Sequence, residues 1–362
     1  MSRPAEELAY LRAVLAASAV AADALLAMEH VAEALAPERS ATLAAEIERR
    51  CAAPLAQAYA VLAEVPSSAE LARFDEIFRD AFDQTLQCVT LFAGFPAAPP
   101  PERIPRILAA LHHHAQAQAR FYGIRLLLPP FRDYWSADAT SPLTADASAP
   151  PHAPLLRVGA GGHHGGFAVY VPEAYDAARA WPLIVALHGG AGNGPDFLWT
   201  WVRDAKRRGY VVVAPTAVGS TWAEGDAAGL VEVLDWLAAR MHLDSGRTLL
   251  TGLSDGGTFT LVYGLARRDR FAALAPLCGV FHPLNAANGN LTRARGVPIY
   301  LVHGARDFLF PVAYAHLTRD MLIEAGADLT YRELPELSHA YPRSENGAIL
   351  SWFEAHCSPA AA

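Results

Sequence analysis

The chain has 362 residues, 52% of them hydrophobic and 18% charged, with a formal net charge of -8 at pH 7. That length supports one large core or two smaller ones, and an acidic balance without any basic run argues against a duplex-binding surface, which needs clustered cations against phosphate. Cys51, Cys88, Cys278 and Cys357 are scattered with no C-x-x-C pair, so free thiols are expected rather than a zinc site or a redox motif.

The N-terminal third reads as helix. Glu6 and Glu7 precede an alanine-rich stretch from Ala13 to Ala27 that carries Asp23, whereas a secretory leader would start with net positive charge and have a more strongly apolar middle. Leu8, Leu11, Leu15, Ala22 and Leu25 follow helical spacing, as in an amphipathic first helix. No stretch approaches the ~20 apolar residues needed to span a bilayer, so a cytoplasmic chain without a membrane span is expected. Helices are predicted over Pro4 to Leu35, Pro37 to Glu64, Ser68 to Phe92 and Glu102 to Leu128, with breaks at Pro37, at Pro66 and at the Pro96-Ala97-Ala98-Pro99-Pro100-Pro101 cluster. Together they form a helical domain over residues 1–135. His112, His113 and His114 are consecutive on the fourth helix, where neighbours point about 100° apart, so they make no metal site. Residues 136–154, with Pro142, Pro150, Pro151 and Pro154 among Ala, Ser, Thr and Asp, have the composition of a linker.

From residue 155 to 362 the pattern changes to alternating strand and helix. Leu155 to Val158 and Phe167 to Val171 flank a glycine-rich run that contains His163 and His164. That run reads as a hairpin loop, because no Gly-Lys-Ser/Thr ending or following helix makes it a phosphate loop. Further strands are predicted over Leu183 to Leu187, Tyr210 to Ala214, Thr248 to Thr251, Phe271 to Leu277, Val297 to Val302 and Leu329 to Leu334. Helices are predicted near Pro195 to Arg208, Ala227 to Met241, Gly257 to Arg267, Val312 to Ala325 and Glu345 to Ala355. Such alternation implies a doubly wound α/β domain with a mostly parallel sheet and helices on both faces. Only Gly279 to Gly296 separate the fifth and sixth of these strands beyond the hairpin's first, which leaves no room for a large internal lid.

Three loops at strand ends carry residues of one chemistry. The strand Thr248-Leu249-Leu250-Thr251 runs into Gly252-Leu253-Ser254-Asp255-Gly256-Gly257 and a helix, the arrangement of a serine on a sharp strand-to-helix turn whose flanking positions have no space for side chains. Ser254 is the candidate nucleophile. A serine hydroxyl needs a base, and an imidazole oriented by a carboxylate is the usual one. Asp307 follows the strand ending at His303-Gly304, and His339 follows the strand ending at Leu334, so the order Ser, Asp, His falls on three separate loops. Asp320, Asp328, Glu333 and Glu336 compete with Asp307 for the acid role. His188 and His303, each before a glycine at a strand end, read as supports of their turns. The strand Trp181 to Leu187 runs into His188-Gly189-Gly190, a tight turn suited to oxyanion donors. One donor is assigned to the N–H of Gly190 and the other to the N–H of Asp255, directly after the serine.

These pieces, from about Leu155 to Cys357, resemble an α/β-hydrolase of the compact carboxylesterase and phospholipase type, and are also similar to feruloyl esterases and polyhydroxybutyrate depolymerases. The resemblance rests on the Leu187-His188-Gly189-Gly190 turn, the elbow at Ser254, His303-Gly304-x-x-Asp307 with Pro311 after it, and the Ser338-His339 loop. It implies hydrolysis of a small-molecule or polymeric carboxylic ester through an acyl-enzyme, without cofactor or metal. Trp199, Trp222 and Phe281 are the aromatic candidates for a substrate pocket, while Trp201 and Phe310 read as core. A serine peptidase or amidase of the same fold and a non-catalytic binding protein remain alternatives. The helical domain is open to three roles: covering the site, self-association into a homo-oligomer, or stabilising the core.

Overall fold

A computed structural model describes residues 3–136, 155–159 and 165–357. The predicted linker, Ser136 apart, and His163 and His164 lie outside the described residues. The chain divides into two compact units, Met1–Ala139 and Thr140–Ala362.

The first unit contains α1 (Arg3–Glu33), α2 (Ser40–Ile47), α3 (Ala53–Glu64), α4 (Ala72–Gly94), α5 (Pro100–Ile124) and α6 (Pro129–Ser136). The sequence pattern predicts one helix where α2 and α3 stand, and the two are in fact joined by a π-helical turn, Glu48–Ala52, just before Pro54. A proline ring has no N–H and clashes with the preceding turn, and the wider turn accommodates it. The unit's core is aromatic: Phe78, Phe82, Phe92, Phe121, Phe131 and Trp135 are buried, with the Phe121 and Phe131 rings stacked at 3.8 Å.

Helix α1 corrects the sequence reading twice. Its buried stripe is Tyr10, Val14, Ala17, Ala21, Leu25 and Met28, whereas Leu8, Leu11 and Leu15 are 48%, 45% and 44% exposed. Of the predicted face, Ala22 and Leu25 are buried as expected; alanine, lacking side-chain bulk, lets neighbouring helices approach closely, so Ala17 and Ala21 face inward while Leu8, Leu11 and Leu15 face outward. In addition, Glu6–Glu33 is long and apolar enough by length and composition to cross a membrane, contrary to expectation, although 56% of its most apolar window is buried inside the structure, as in a core helix.

The second unit is a single eight-stranded sheet in the order β1-β2-β4-β3-β5-β6-β7-β8. Its elements in chain order are β1 (Leu155–Val158), β2 (Phe167–Tyr170), β3 (Trp181–Leu187), α7 (Gly194–Phe197), α8 (Val202–Arg208), β4 (Val211–Pro215), α9 (Asp226–Ala238) and β5 (Leu243–Leu253). They continue with α10 (Asp255–Ala266), β6 (Ala273–Leu277), α11 (Leu284–Ala287), α12 (Asn290–Arg293), β7 (Pro298–Gly304), α13 (Val312–Glu324), β8 (Asp328–Leu334) and α14 (Asn346–His356). β1 and β2 pair antiparallel and β2 runs antiparallel to β4; every other pairing is parallel. This is the α/β-hydrolase fold. The central strands are apolar on both faces, and β3 and β4 are buried along their whole length, as expected of parallel strands covered on both sides. The predicted helix over Pro195 to Arg208 is broken. Asn193 caps α7 by accepting the N–H of Asp196 at 2.9 Å, a 3-10 turn follows, and α8 then begins. Parallel register aligns Leu187 with Gly252 and Leu253 with Leu277, which brings the carboxyl ends of β3, β5 and β6 together.

Candidate active site

β5 ends at Leu253 and α10 begins at Asp255, so Ser254 alone makes the turn, at φ 56° and ψ -114°. A non-glycine residue at positive φ is strained and persists only where its surroundings hold it. Here the N–H of Ser254 donates to the carbonyl of Leu277 at 2.8 Å. A Cβ on Gly252 would lie 2.5 Å from the carbonyl of Gly256, and one on Gly256 would lie 2.5 Å from the oxygens of Leu187 and His188. The small residues flanking the serine are therefore a steric requirement of backbone packing.

The structure brings Ser254, His339 and Asp307 into one hydrogen-bonded chain. His339 Nε2 is 2.8 Å from Ser254 Oγ, and His339 Nδ1 is 2.7 Å from Asp307 Oδ2. A carboxylate only accepts, so the imidazole proton resides on Nδ1 and the Nε2 lone pair faces the hydroxyl. Asp307 is held by its own turn: Oδ1 accepts the N–H groups of Leu309 and Phe310 at 3.0 and 2.7 Å. The histidine loop is tied to the acid loop by Ser338 Oγ, which donates to the carbonyl of Arg306, and by the Arg306 N–H, which donates to that of Leu337. The competing carboxylates are engaged elsewhere: Asp320 with Arg319, Glu336 with Arg306, Glu333 with His316, and Asp328 with His356.

The other two strand-end histidines are buried and hold turns. His303 Nε2 donates to the carbonyl of Phe310 at 2.8 Å and lies 3.5 Å from Asp307 Oδ2. His188 Nδ1 donates to the carbonyl of Gly189 at 2.7 Å, while its Nε2 accepts the N–H of Ala217 at 3.0 Å. Burial pushes the pKa of each below the usual imidazole value. Cys278, also at positive φ, sits behind the acid, and burial pushes its thiol up to about 12, so it stays protonated and donates to the carbonyl of Ala340.

The N–H groups of Gly190 and Asp255 have no partner among the described residues. The former leaves the β3 turn, where Ala191 adopts φ 57° and donates its N–H to the carbonyl of Ser220 at 2.7 Å. The latter is the first N–H of α10, at the positive end of that helix. Of the three aromatic pocket candidates, Phe281 is half-buried, but Trp199 and Trp222 are only 3% and 7% exposed and offer a substrate little surface. The Trp222 indole donates to the carbonyl of His188 at 2.8 Å and its ring packs on His188 and Phe259. Trp201 is buried as expected, whereas Phe310 is half-buried and stands edge-on to His339 with ring centroids 5.3 Å apart. Phe308, 51% exposed, flanks the same imidazole. The signal for both was their place directly after Asp307. A separate cleft of about 450 Å³ lies between α12 and α13, lined by Thr292, Arg295, Met321 and Glu324, and includes none of these residues. Among the described residues no group of three His, Cys, Asp or Glu side chains could hold a metal ion, and all four cysteines are free.

Residues 229–357 match the family profile for phospholipases and carboxylesterases. A probable feruloyl esterase C of Aspergillus terreus is 25% identical over 154 residues, covering 39% of this chain and 54% of that protein. A bifunctional acetylxylan esterase/xylanase of Neocallimastix patriciarum is 32% identical over 149 residues, covering 38% and 21% respectively. A probable dipeptidyl-peptidase 5 of Aspergillus terreus is 23% identical over 228 residues, 50% of this chain and 32% of that one. The chain thus spans about half the length of the first relative and a third or less of the others. The similarity is to α/β-hydrolases of the carboxylesterase type.

Proposed function

We propose that the C-terminal unit hydrolyses carboxylic esters through an acyl-enzyme on Ser254. The reading rests on the chain of hydrogen bonds from Ser254 Oγ through the His339 imidazole to Asp307, at 2.8 and 2.7 Å. In it, His339 Nε2 takes the Ser254 proton as Oγ attacks the ester carbonyl, and Asp307 holds the imidazole and stabilises its cation. The N–H groups of Gly190 and Asp255 receive the oxyanion, each worth about 3 to 4 kcal/mol of transition-state stabilisation where such donors have been removed. Collapse of the tetrahedral intermediate expels the alkoxide, which takes the proton from His339. Water then repeats the cycle and releases the acid.

The similarity to a dipeptidyl-peptidase supports a second reading, in which the same machinery cleaves an amide. One experiment addresses both. One portion of the full chain is treated with a fluorophosphonate probe, and a separate untreated portion is assayed on p-nitrophenyl, feruloyl and aminoacyl-amide substrates. Labelling on Ser254, lost in Ser254→Ala along with turnover, is the expected result, with esters preferred over amides. Folded wild-type protein that neither labels nor turns over any substrate overturns the proposal; amide preference moves it to the peptidase reading.

A further inference from the structure

The turn bearing Gly190 and the elbow bearing Asp255 belong to different strands, β3 and β5, and one loop touches both. Residues 218–223 are tied at both ends to the buried Asp226 carboxylate, which accepts the N–H groups of Val218 and Ala223 at 2.8 Å each. On one side, Ser220 receives the Ala191 N–H at 2.7 Å, and a Cβ on Gly190 would meet Thr221 and Ser220 at 3.9 and 4.0 Å. On the other, the Trp222 N–H donates to Asp255 Oδ2 at 2.5 Å, while the Trp222 indole donates to the carbonyl of His188. A negative side chain beside a site that must receive an oxyanion opposes catalysis electrostatically, so its presence calls for a compensating structural task.

We propose that the Val218–Ala223 loop clamps the two oxyanion donors at a fixed spacing and that the Asp255 side chain, latched to the Trp222 N–H, is the positioning residue that closes the clamp. This rests on the oxyanion assignment above and extends it. Donor spacing matters little to a planar ester carbonyl and much to the tetrahedral oxyanion, so loss of the latch falls on the chemical step.

The test uses the full chain with Asp255→Ala and Asp255→Asn, assayed on a p-nitrophenyl ester and for inhibition by a trifluoromethyl ketone. The ketone's adduct with Ser254 places its oxyanion where the ester's would be. Asp255→Ala should lower kcat by about 10- to 100-fold, the scale of an ångström's misplacement in an active site. KM should stay within about threefold, and ketone affinity should fall in step with kcat/KM. Asp255→Asn, which keeps an acceptor oxygen at the latch, should recover at least about a third of the wild-type kcat, since the hydrogen bond and not the charge carries the role. Unchanged kcat in Asp255→Ala, unchanged ketone affinity, or an Asn variant as impaired as the Ala variant overturns the clamp while leaving the hydrolase reading standing. If Asp255→Ala does not fold, Asp255→Leu, which fills the same space but offers no acceptor to the Trp222 N–H, should show the same kcat-specific loss, and unaltered kcat there also overturns it. Wild-type protein without turnover or Ser254 labelling overturns both proposals.

Discussion

Three histidines stand at strand ends in the C-terminal unit, and burial separates their tasks. His188 and His303 are wholly enclosed, each gives its single N–H to a nearby carbonyl, and each is pushed below the ordinary value of 6.5 by loss of solvent. With the folded-state value lowered, the unfolded chain binds more protons between that value and 6.5, so folding free energy drops as pH falls through this window and is restored above it. Urea unfolding followed by tryptophan fluorescence reports on this unit, because six of the seven tryptophans lie beyond residue 155. Stability should be flat above about pH 7 and decline below it by up to about 1.4 kcal/mol per pH unit for each histidine. His303→Asn should make the decline shallower, and an unaltered slope would remove His303 from this account. The same burial explains what was legible in the sequence. Ser254, Asp307 and His339 each follow a strand, and that position fixes which end of the sheet they occupy. It does not say which way a loop side chain turns, so Trp199 and Trp222 pass for pocket residues in the sequence although they pack inward, and Phe310 passes for core although it borders the imidazole.

At the scale of elements, the elbow between β5 and α10 is the tightest joint, and glycines there and in exposed helix behave oppositely. A methyl on Gly256 would press at 2.5 Å on the backbone oxygens of Leu187 and His188, which belong to the neighbouring strand and its turn and cannot yield without opening the sheet. Gly256→Ala should therefore destabilise by about 3 kcal/mol or more. By contrast, a Cβ on Gly229 in α9 meets nothing within 4 Å, and Gly229→Ala should stabilise by about 0.5 to 1 kcal/mol through helix propensity. Paired denaturant titrations check both signs; similar effects in the two variants would contradict the packing argument. Elements with a strong period or a proline break were readable in the sequence: α4, α5, α9 and α13 lie within a few residues of their predicted spans. The failures have local causes. The stretch after Asn193 splits because the side-chain cap starts α7 early and a 3-10 turn ends it, and in the first half of α1 Leu8, Leu11 and Leu15 turn outward because a stripe with alanines packs more closely than a leucine one.

For the whole molecule, the division into units assigns the chemistry. Gly190, Ser254, Asp255, Asp307 and His339, with the loop that joins the two turns, all lie within Thr140–Ala362, which has its own eight-stranded sheet and hydrophobic core. The change from helical pattern to strand and helix alternation is readable in the sequence, but nothing in a helix pattern encodes what its outer face is for. A fragment beginning at Thr140 should thus fold alone, label with a fluorophosphonate, and hydrolyse a short p-nitrophenyl ester with kcat/KM within about threefold of the full chain, since no group that forms or holds the oxyanion is removed. Comparing acetate, butyrate and octanoate esters in the two proteins then isolates the contribution of Met1–Ala139: a changed chain-length preference assigns the helical unit to substrate entry, and an unchanged preference with fewer subunits per particle in solution assigns it to assembly. A folded fragment that has lost turnover of the shortest ester would show instead that the helical unit supplies part of the catalytic site.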